Sequence, residues 1–348
     1  MRKSILLILI MFLVMGLIGG AVAQEEVTLT ITWSAWAPMD TLIALTEDFT
    51  AQTGIKVKGD PIPWPQYHDK VFTEFASGKT SFDIVLPDSQ WLGEAVVGDH
   101  LIDITDWFNQ NVNPADYYET FVESFCEYPD GSGKYYGVPG LGDFCGMAYR
   151  TDLFDDPAEQ AAFQEKYGYD LKPPETWSQL RDIAEFFTRP EQNLYGVGLW
   201  QAPIPTGGLT DVFLSCLWSF GGELWDPETK RVKGILNNEA GKEAARFWVD
   251  LYQFCPPGST NYGMDEVNTA MQQGLIAMMT TYLAFSPGLL DPDLSLYWDK
   301  IDFCPTPQEK EWWVQLGGQG MSISTYSPHK EEALKFLEWW VSPEVQLK

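Results

Sequence analysis

The sequence predicts an α/β protein built as two lobes, and three observations carry that expectation. Residues 27 to 86 alternate strand, helix, strand, helix, strand, the rhythm of a parallel sheet with crossover helices. Removal of an N-terminal leader leaves about 325 residues, more than one apolar core ordinarily serves. The middle of the chain then starts a second α/β series with no long flexible linker before it, so the chain should pass between lobes more than once.

The leader comes first. Arg2 and Lys3 precede an apolar run from Ile5 to Ile18, and Gly19-Gly20 leads to Ala21-Val22-Ala23 before a polar chain begins. A basic start, an apolar centre and an A-x-A site describe a secretory signal peptide over residues 1–23 rather than a membrane anchor. No cysteine stands at the cleavage site, so no lipid anchor is expected. The protein is expected to be exported, periplasmic or extracellular.

The elements follow in order. "VTLTITW" (27–33) alternates apolar residues with Thr and reads as a strand. The loop "SAWAPMD" leads to a helix with Leu42, Leu45 and Phe49 on one face, stopped by Gly54. "IKVKG" is a second strand, Tyr67, Val71 and Phe75 mark a second helix ended by Gly78, and "FDIVL" (82–86) is a third strand. "GVPGLGDFCGMAYR" (137–150) reads as a Gly-loosened strand carrying one carboxylate, Asp143, and one thiol, Cys145. In "PPETWSQLRDIAEFF", Thr176 and Gln179 form a capping box before a stripe of Trp177, Leu180, Ile183, Ala184 and Phe187. "YGVGLW" (195–200) is a strand, "LTDVFLSCLWSFGG" a buried helix, "EAGKEAARFWVDLYQF" an amphipathic helix and "GLIAMMTTY" (274–282) a further strand. "EWWVQLGGQGMSIS" gives a strand around a Gly-Gly break, and "SPHKEEALKFLEWWV" a last helix.

Composition narrows the chemistry. A formal net charge of -27 argues against nucleic acid and anionic membranes as partners. The 15 Trp raise the odds of a surface on which a flat or weakly polar ligand stacks. Five cysteines in an exported chain favour disulfides. Cys126 and Cys145 flank a Gly-rich segment that reads as a hairpin, and Cys255 and Cys304 both lie beside prolines at segment edges. Local context favours pairing them that way, although the sequence does not fix connectivity. Cys216 lies in an apolar run and is expected to be a buried free thiol. The cysteine spacings match no zinc site.

Enzyme signatures are weak. His68, His100 and His329 are the three histidines, and none has the i, i+4 partner of a metal-binding helix. There is no G-x-S-x-G elbow, phosphate loop or dinucleotide glycine pattern. No metal or cofactor is implied. The positions where strands end carry more information, because open α/β sheets bind ligands beyond the carboxyl ends of their strands. There stand Ser34 and Trp36, then "PDSQW" (87–91), then Trp200 and Gln201, then Tyr282. Amides and carboxylates interleaved with rings suit a carbohydrate: the polar groups hold hydroxyls and the rings cover C–H faces.

At this point the sequence resembles the extracellular solute-binding proteins of ABC importers, in the carbohydrate-binding branch related to maltose-binding protein. Four stretches carry the resemblance, in order over nearly the whole chain. They are "FDIVLPDSQWLGEAVVGDHLIDITDWF", "KYYGVPGLGDFCGMAYRTDLF", "PPETWSQLRDIAEFF" and "GLIAMMTTY…GGQGMSISTYSPHKEEALKFLEWWVSPEVQ". The resemblance implies a periplasmic-binding-protein type II fold: two α/β lobes with hinge crossings, a sugar held in the cleft between them, and closure by hinge motion. Lobe 1 would comprise 24–138 plus 305–348 and lobe 2 would comprise 139–304, with the family's later C-terminal helices absent.

Carried over by position, Asp88, Gln90 and Trp91 fall on the first-lobe loop that contacts sugar, and Asp143 on the acid of the first crossing. Tyr282 falls where the family often stacks a Trp on a sugar ring, Gln319 follows the Gly-Gly pair, and Trp36 lines the cleft. The loop after "YGVGLW" departs from the family: it reads "QAPIPTGGLTD" where relatives often carry an acidic or aromatic pair, so Gln201 or glycine backbone would substitute. The expected function is a non-enzymatic, monomeric receptor for a sugar or polyol that delivers it to an ABC transporter permease. A polyamine receptor of the same fold and a secreted glycosidase are the alternatives. The first needs several converging carboxylates with aromatic walls. The second needs two carboxylates about 5 to 10 Å apart across one bond.

Overall fold

A computed structural model describes residues 26–203 and 208–348; the leader expected at 1–23 lies outside the described residues. Eight strands form one mixed sheet: β1 (Thr28–Ser34), β2 (Lys56–Ile62), β3 (Ile84–Val85), β4 (Val138–Arg150), β5 (Tyr195–Gly198), β6 (Ile276–Tyr282), β7 (Ile301–Pro305) and β8 (Leu316–Ile323). The order is β2-β1-β3-β8-β4-β6-β5, with β7 paired to β4.

The first βαβαβ segment folds with its strands parallel, β1 lying between β2 and β3. The Ala37–Thr53 helix buries Met39, Leu42 and Phe49 and ends where Gly54, at φ 75°, returns its amide to the Thr50 carbonyl. The Trp64–Ala76 helix buries Tyr67, Val71 and Phe75. "FDIVL" pairs only at Ile84 and Val85, a shorter strand than its apolar run suggested. The sheet is not parallel throughout. β8 inserts antiparallel between β3 and β4, so the late part of the chain completes the first sheet. The capping box at Thr176 and Gln179 forms, and Trp177 is fully buried under it. The "LTDVFLSCLWSFGG" helix is shorter than its pattern, Phe213–Ser219.

β4 is the strand that joins the halves. Val138 to Phe144 pair with β8, whereas Cys145 to Tyr149 pair with β6 and Gly146 to Arg150 pair with β7. The ladder therefore changes partner between Phe144 and Cys145. Two apolar cores flank the change. One gathers Leu29, Phe49, Tyr67, Phe75, Phe108, Phe125 and Val138 with Met321 and Phe336. The other gathers Met147, Phe163, Trp177, Phe187, Val197, Trp248, Met278 and Ile301. This is a two-lobe α/β fold. Among the described residues no helix is long and apolar enough to cross a membrane.

The expected disulfides are corrected: all five cysteines are free. Cys126 closes the Glu119–Phe125 helix inside the first core, while Cys145 lies past the changeover in β4 and belongs to the second core. Only the first part of the expected hairpin turns back, through the Glu127–Tyr135 bridge, before the chain enters β4. Cys304 sits on β7, which pairs with β4 at one side of the second sheet. Cys255 packs against Gln201, just past β5 at the other side. With the order β7-β4-β6-β5, three strand spacings of about 4.8 Å separate those sides, well beyond the roughly 7 Å that a bridge spans between Cα atoms. Cys216 is buried, and burial pushes its thiol pKa well up.

Candidate functional site

Where the two cores meet over β4 lies a cavity of about 390 Å³, within the roughly 300–1,000 Å³ usual for small-molecule sites. Its wall from the first core includes Ser34, Trp36, Trp64, Asp88, Gln90 and Gln319. Its wall from the second includes Trp200, Asp211, Trp225, Met264, Tyr282 and Phe285. The floor is the hinge itself, Asp143 on β4 with Gln315 and the first residues of β8, Leu316 to Gly318.

Two glycines make that floor possible. A Cβ at Gly317 would come 2.6 Å from the Tyr282 ring, and Gly318 adopts φ +139° with the Leu141 carbonyl 2.4 Å from where its Cβ would stand. The Gly-Gly break in the sequence thus seats Tyr282 against the crossing strand. Rings from both sides meet above it. Trp36 lies 5.4 Å from Phe285 between centroids, and Trp200 lies 5.7 Å from Tyr282 and 5.9 Å from Phe285.

Three carboxylates stand among these rings. Asp88 follows β3 and starts a short 3-10 turn. It accepts from its own turn at the Gln90 amide (3.3 Å) and from Gln319 Nε2 (3.1 Å), and burial raises its pKa against those bonds. Asp143 Oδ1 accepts from the amides of Phe144 (2.8 Å) and Ala284 (3.0 Å), so it ties the crossing strand to the turn that carries Phe285. Burial pushes its pKa up to about 7. Asp211 accepts from the Gly208 amide at 3.1 Å. Burial, helped by the Asp88 charge, also pushes it up to about 7. Beside it Val212 has φ +41°, a strained conformation for a β-branched residue and the kind that collects at ligand sites.

Seven of the nine residues singled out from the sequence line this cavity: Trp36, Asp88, Gln90, Asp143, Trp200, Tyr282 and Gln319. Trp91 and Gln201 do not. Trp91 is buried and stacks on Trp64, 5.1 Å between centroids, so it backs the ring that faces the cavity. Gln201 is buried and turned away, donating to Cys255 Sγ and accepting from Ser259 Oγ at 3.3 Å. Sequence reasoning missed Asp211, Trp64, Trp225, Met264 and Phe285. Asp211 had a signal: it closes "QAPIPTGGLTD", the loop where an acid was expected and Gln201 was chosen instead. The acids are spread round the cavity; no group of His, Cys, Asp or Glu able to hold a metal occurs among the described residues.

Two α/β lobes sharing strands across a hinge, with one cavity walled by both, define the class of venus-flytrap solute receptors. The chain belongs to the bacterial extracellular solute-binding proteins, whose family model matches residues 34–347. Among similar solved structures is an ABC transporter solute-binding protein of Agrobacterium radiobacter in complex with ribitol. It is 26% identical, with a TM-score of 0.78 over 92% of this chain and 77% of that one. Maltose-bound T. maritima MalE3 is 27% identical, with a TM-score of 0.76 over 92% and 79%. Among curated relatives, a probable amino-acid ABC transporter periplasmic-binding protein of Sinorhizobium fredii is 25% identical over 90% of this chain and 68% of its own length. A mannitol-binding protein of Pseudomonas aeruginosa is 26% identical over 66% of this chain and 50% of its own.

Proposed function

We propose that this protein is an exported receptor that captures a small polyhydroxylated solute, a sugar or an alditol, in the cavity over β4 and presents it to the membrane permease of an ABC importer. The observation that carries this reading is the composition of one cavity. Flat rings from both lobes, Trp36, Trp64, Trp200, Tyr282 and Phe285, interleave with Asp88, Asp143, Asp211 and the Gln315 and Gln319 amides. Rings cover C–H faces while acids and amides hold hydroxyls with directional bonds. Ribitol-, maltose- and mannitol-binding relatives support the same class of ligand.

An amino acid is a poorer fit. Its α-carboxylate would need a cation, and none of the described residues lining the cavity is Lys, Arg or His. The test is a thermal-shift panel of ribitol, mannitol, sorbitol, glucose, xylose, maltose and trehalose on the purified protein. A ligand at 100 times its Kd stabilises by about 2.7 kcal/mol, which is readily seen. A clear shift with at least one of these is expected. A shift with spermidine or amino acids and none with any carbohydrate would overturn the reading.

A further inference from the structure

The cavity has an imbalance that a neutral sugar leaves uncorrected. Among the described residues its lining holds three carboxylates and no basic side chain. Two amide oxygens of its lining also stand buried without a partner. Gln319 is 5% exposed and its Oε1 has no partner. The contact of its Nε2 with Asp88 fixes which end of the amide is which, since a flip would set Oε1 against a carboxylate oxygen. Gln315 Oε1 is likewise buried without a partner. Among the described lining residues, the indole N–H groups of Trp36 and Trp200 are orphan donors. A hydroxyl brings one donor and two acceptor lone pairs, so a plain polyol adds acceptors to a site already rich in them; an ammonium brings three donors and no acceptor.

The carboxylates also differ in how far the protein already satisfies them. Asp88 has Gln319 and its own turn, and Asp143 has two backbone amides. Asp211 has the Gly208 amide, and it stands beside the strained Val212 within the field of Asp88. Rings that line the same cavity, Trp200, Trp225, Tyr282 and Phe285, form the aromatic wall that attracts a desolvated cation. A metal ion is the wrong cation, because the acids do not gather into a metal-holding group among the described residues.

We propose that the ligand is a polyol carrying a positively charged nitrogen, an amino sugar or aminoalditol, whose ammonium lies against Asp211 while its hydroxyls meet Asp88, Gln319 and Asp143. The proposal rests on the receptor reading above and narrows it. It also accounts for Asp211 having no basic partner among the described residues, since the ligand itself supplies the counter-charge. The acidity of the whole chain, at -27, would raise the local concentration of such a cation at the cleft mouth.

The test is calorimetry on matched pairs that differ only in the nitrogen: glucosamine against glucose, galactosamine against galactose, and 1-amino-1-deoxysorbitol against sorbitol. N-acetylglucosamine serves as the neutral control that keeps the bulk. At neutral pH the amine of at least one pair should bind tenfold or more tighter than its neutral partner, about 1.4 kcal/mol. N-acetylation should remove the advantage. Asp211→Asn, checked for folding by circular dichroism, should weaken the amine more than its neutral partner and so erase the preference. Neutral members binding as tightly as their amines, or a preference that survives Asp211→Asn, would overturn the proposal and leave the sugar-receptor reading standing. Binding of no amine, sugar or alditol would overturn both.

Discussion

On the first-lobe wall of the cavity, Asp88 is held by its own turn and by Gln319, and Trp64 lies stacked on the buried Trp91. On the second-lobe wall, among the described residues, one amide donor serves Asp211, that of Gly208, and the next residue, Val212, is held at φ +41°. The first wall is finished by the protein itself. The second leaves a charge with little help and spends conformational strain next to it. In a receptor that closes on its solute, the finished wall can dock the ligand first. The unfinished wall then gains most when the ligand completes it, and that differential gain is what shifts a hinge equilibrium toward the closed state.

Substitutions on the two walls should therefore read out differently. The largest effect is expected at Trp91. Its ring is 7% exposed and packs on Trp64, Tyr67 and His68, so Trp91→Ala removes core volume and should cost about 3 kcal/mol or more of stability. Denaturant unfolding measures this. Affinity should fall as well, because Trp64 loses its backing. Near-wild-type stability with lost binding would mean that Trp91 acts as a contact residue and that the first wall is not self-supporting.

Next comes the hinge. Asp143→Ala strands the amides of Phe144 and Ala284, one from each side of the ladder change. An unsatisfied buried donor costs about 1–3 kcal/mol. Lower stability together with a lost ligand-induced thermal shift is expected. Stability falling alone, with ligand affinity unchanged, would confine Asp143 to a structural role. A smaller effect is expected at Gln201, whose amide holds Cys255 and Ser259 away from the cavity. Gln201→Ala should lower stability by about 1 kcal/mol and leave the Kd within about twofold. A larger change in Kd would move Gln201 back to the site that the sequence suggested for it.

Much of this molecule could be read from the sequence, and the failures have physical causes. The apolar periods at Leu42 and Phe49, at Tyr67, Val71 and Phe75, and at Trp177 through Phe187 fixed helices and their buried faces, because burial imposes those periods directly. The role of β4 was half visible: the glycines and lone acid marked a bend, but β8 is its neighbour only through a pairing of distant segments. The disulfide guesses failed for the same reason. Proximity in sequence placed Cys126 near Cys145, while the change of ladder partner sends them into different cores. Trp91 and Gln201 show the limit at single-residue scale. "PDSQW" and "GLWQ" each deliver adjacent residues to opposite sides of a loop, and the sequence does not say which side faces the cavity.

The smallest effect is also the one most specific to the unfinished wall. Asp143 and Asp211 both titrate near 7 in the folded chain because burial disfavours their charged forms, against 3.8 for a free aspartate. A carboxyl whose folded pKa is raised contributes stability that is fully present below its unfolded pKa and is lost as pH rises through the folded one. The unliganded protein should therefore lose stability as pH rises from about 4 to about 8. The general self-repulsion of an acidic chain works in the same direction, so the wild-type slope alone decides little. The difference between wild type and Asp211→Asn is decisive. Asparagine keeps the shape but cannot ionise, so the variant should follow a flatter curve and gain on wild type as pH rises toward 8, with the two curves converging toward acid. Thermal unfolding across that range measures it. Parallel curves would mean that folding does not raise the Asp211 pKa at all, and the contrast between the walls would be gone. A ligand cation bound to the wild type should produce the same flattening without any mutation, because it holds Asp211 ionised at no cost in burial.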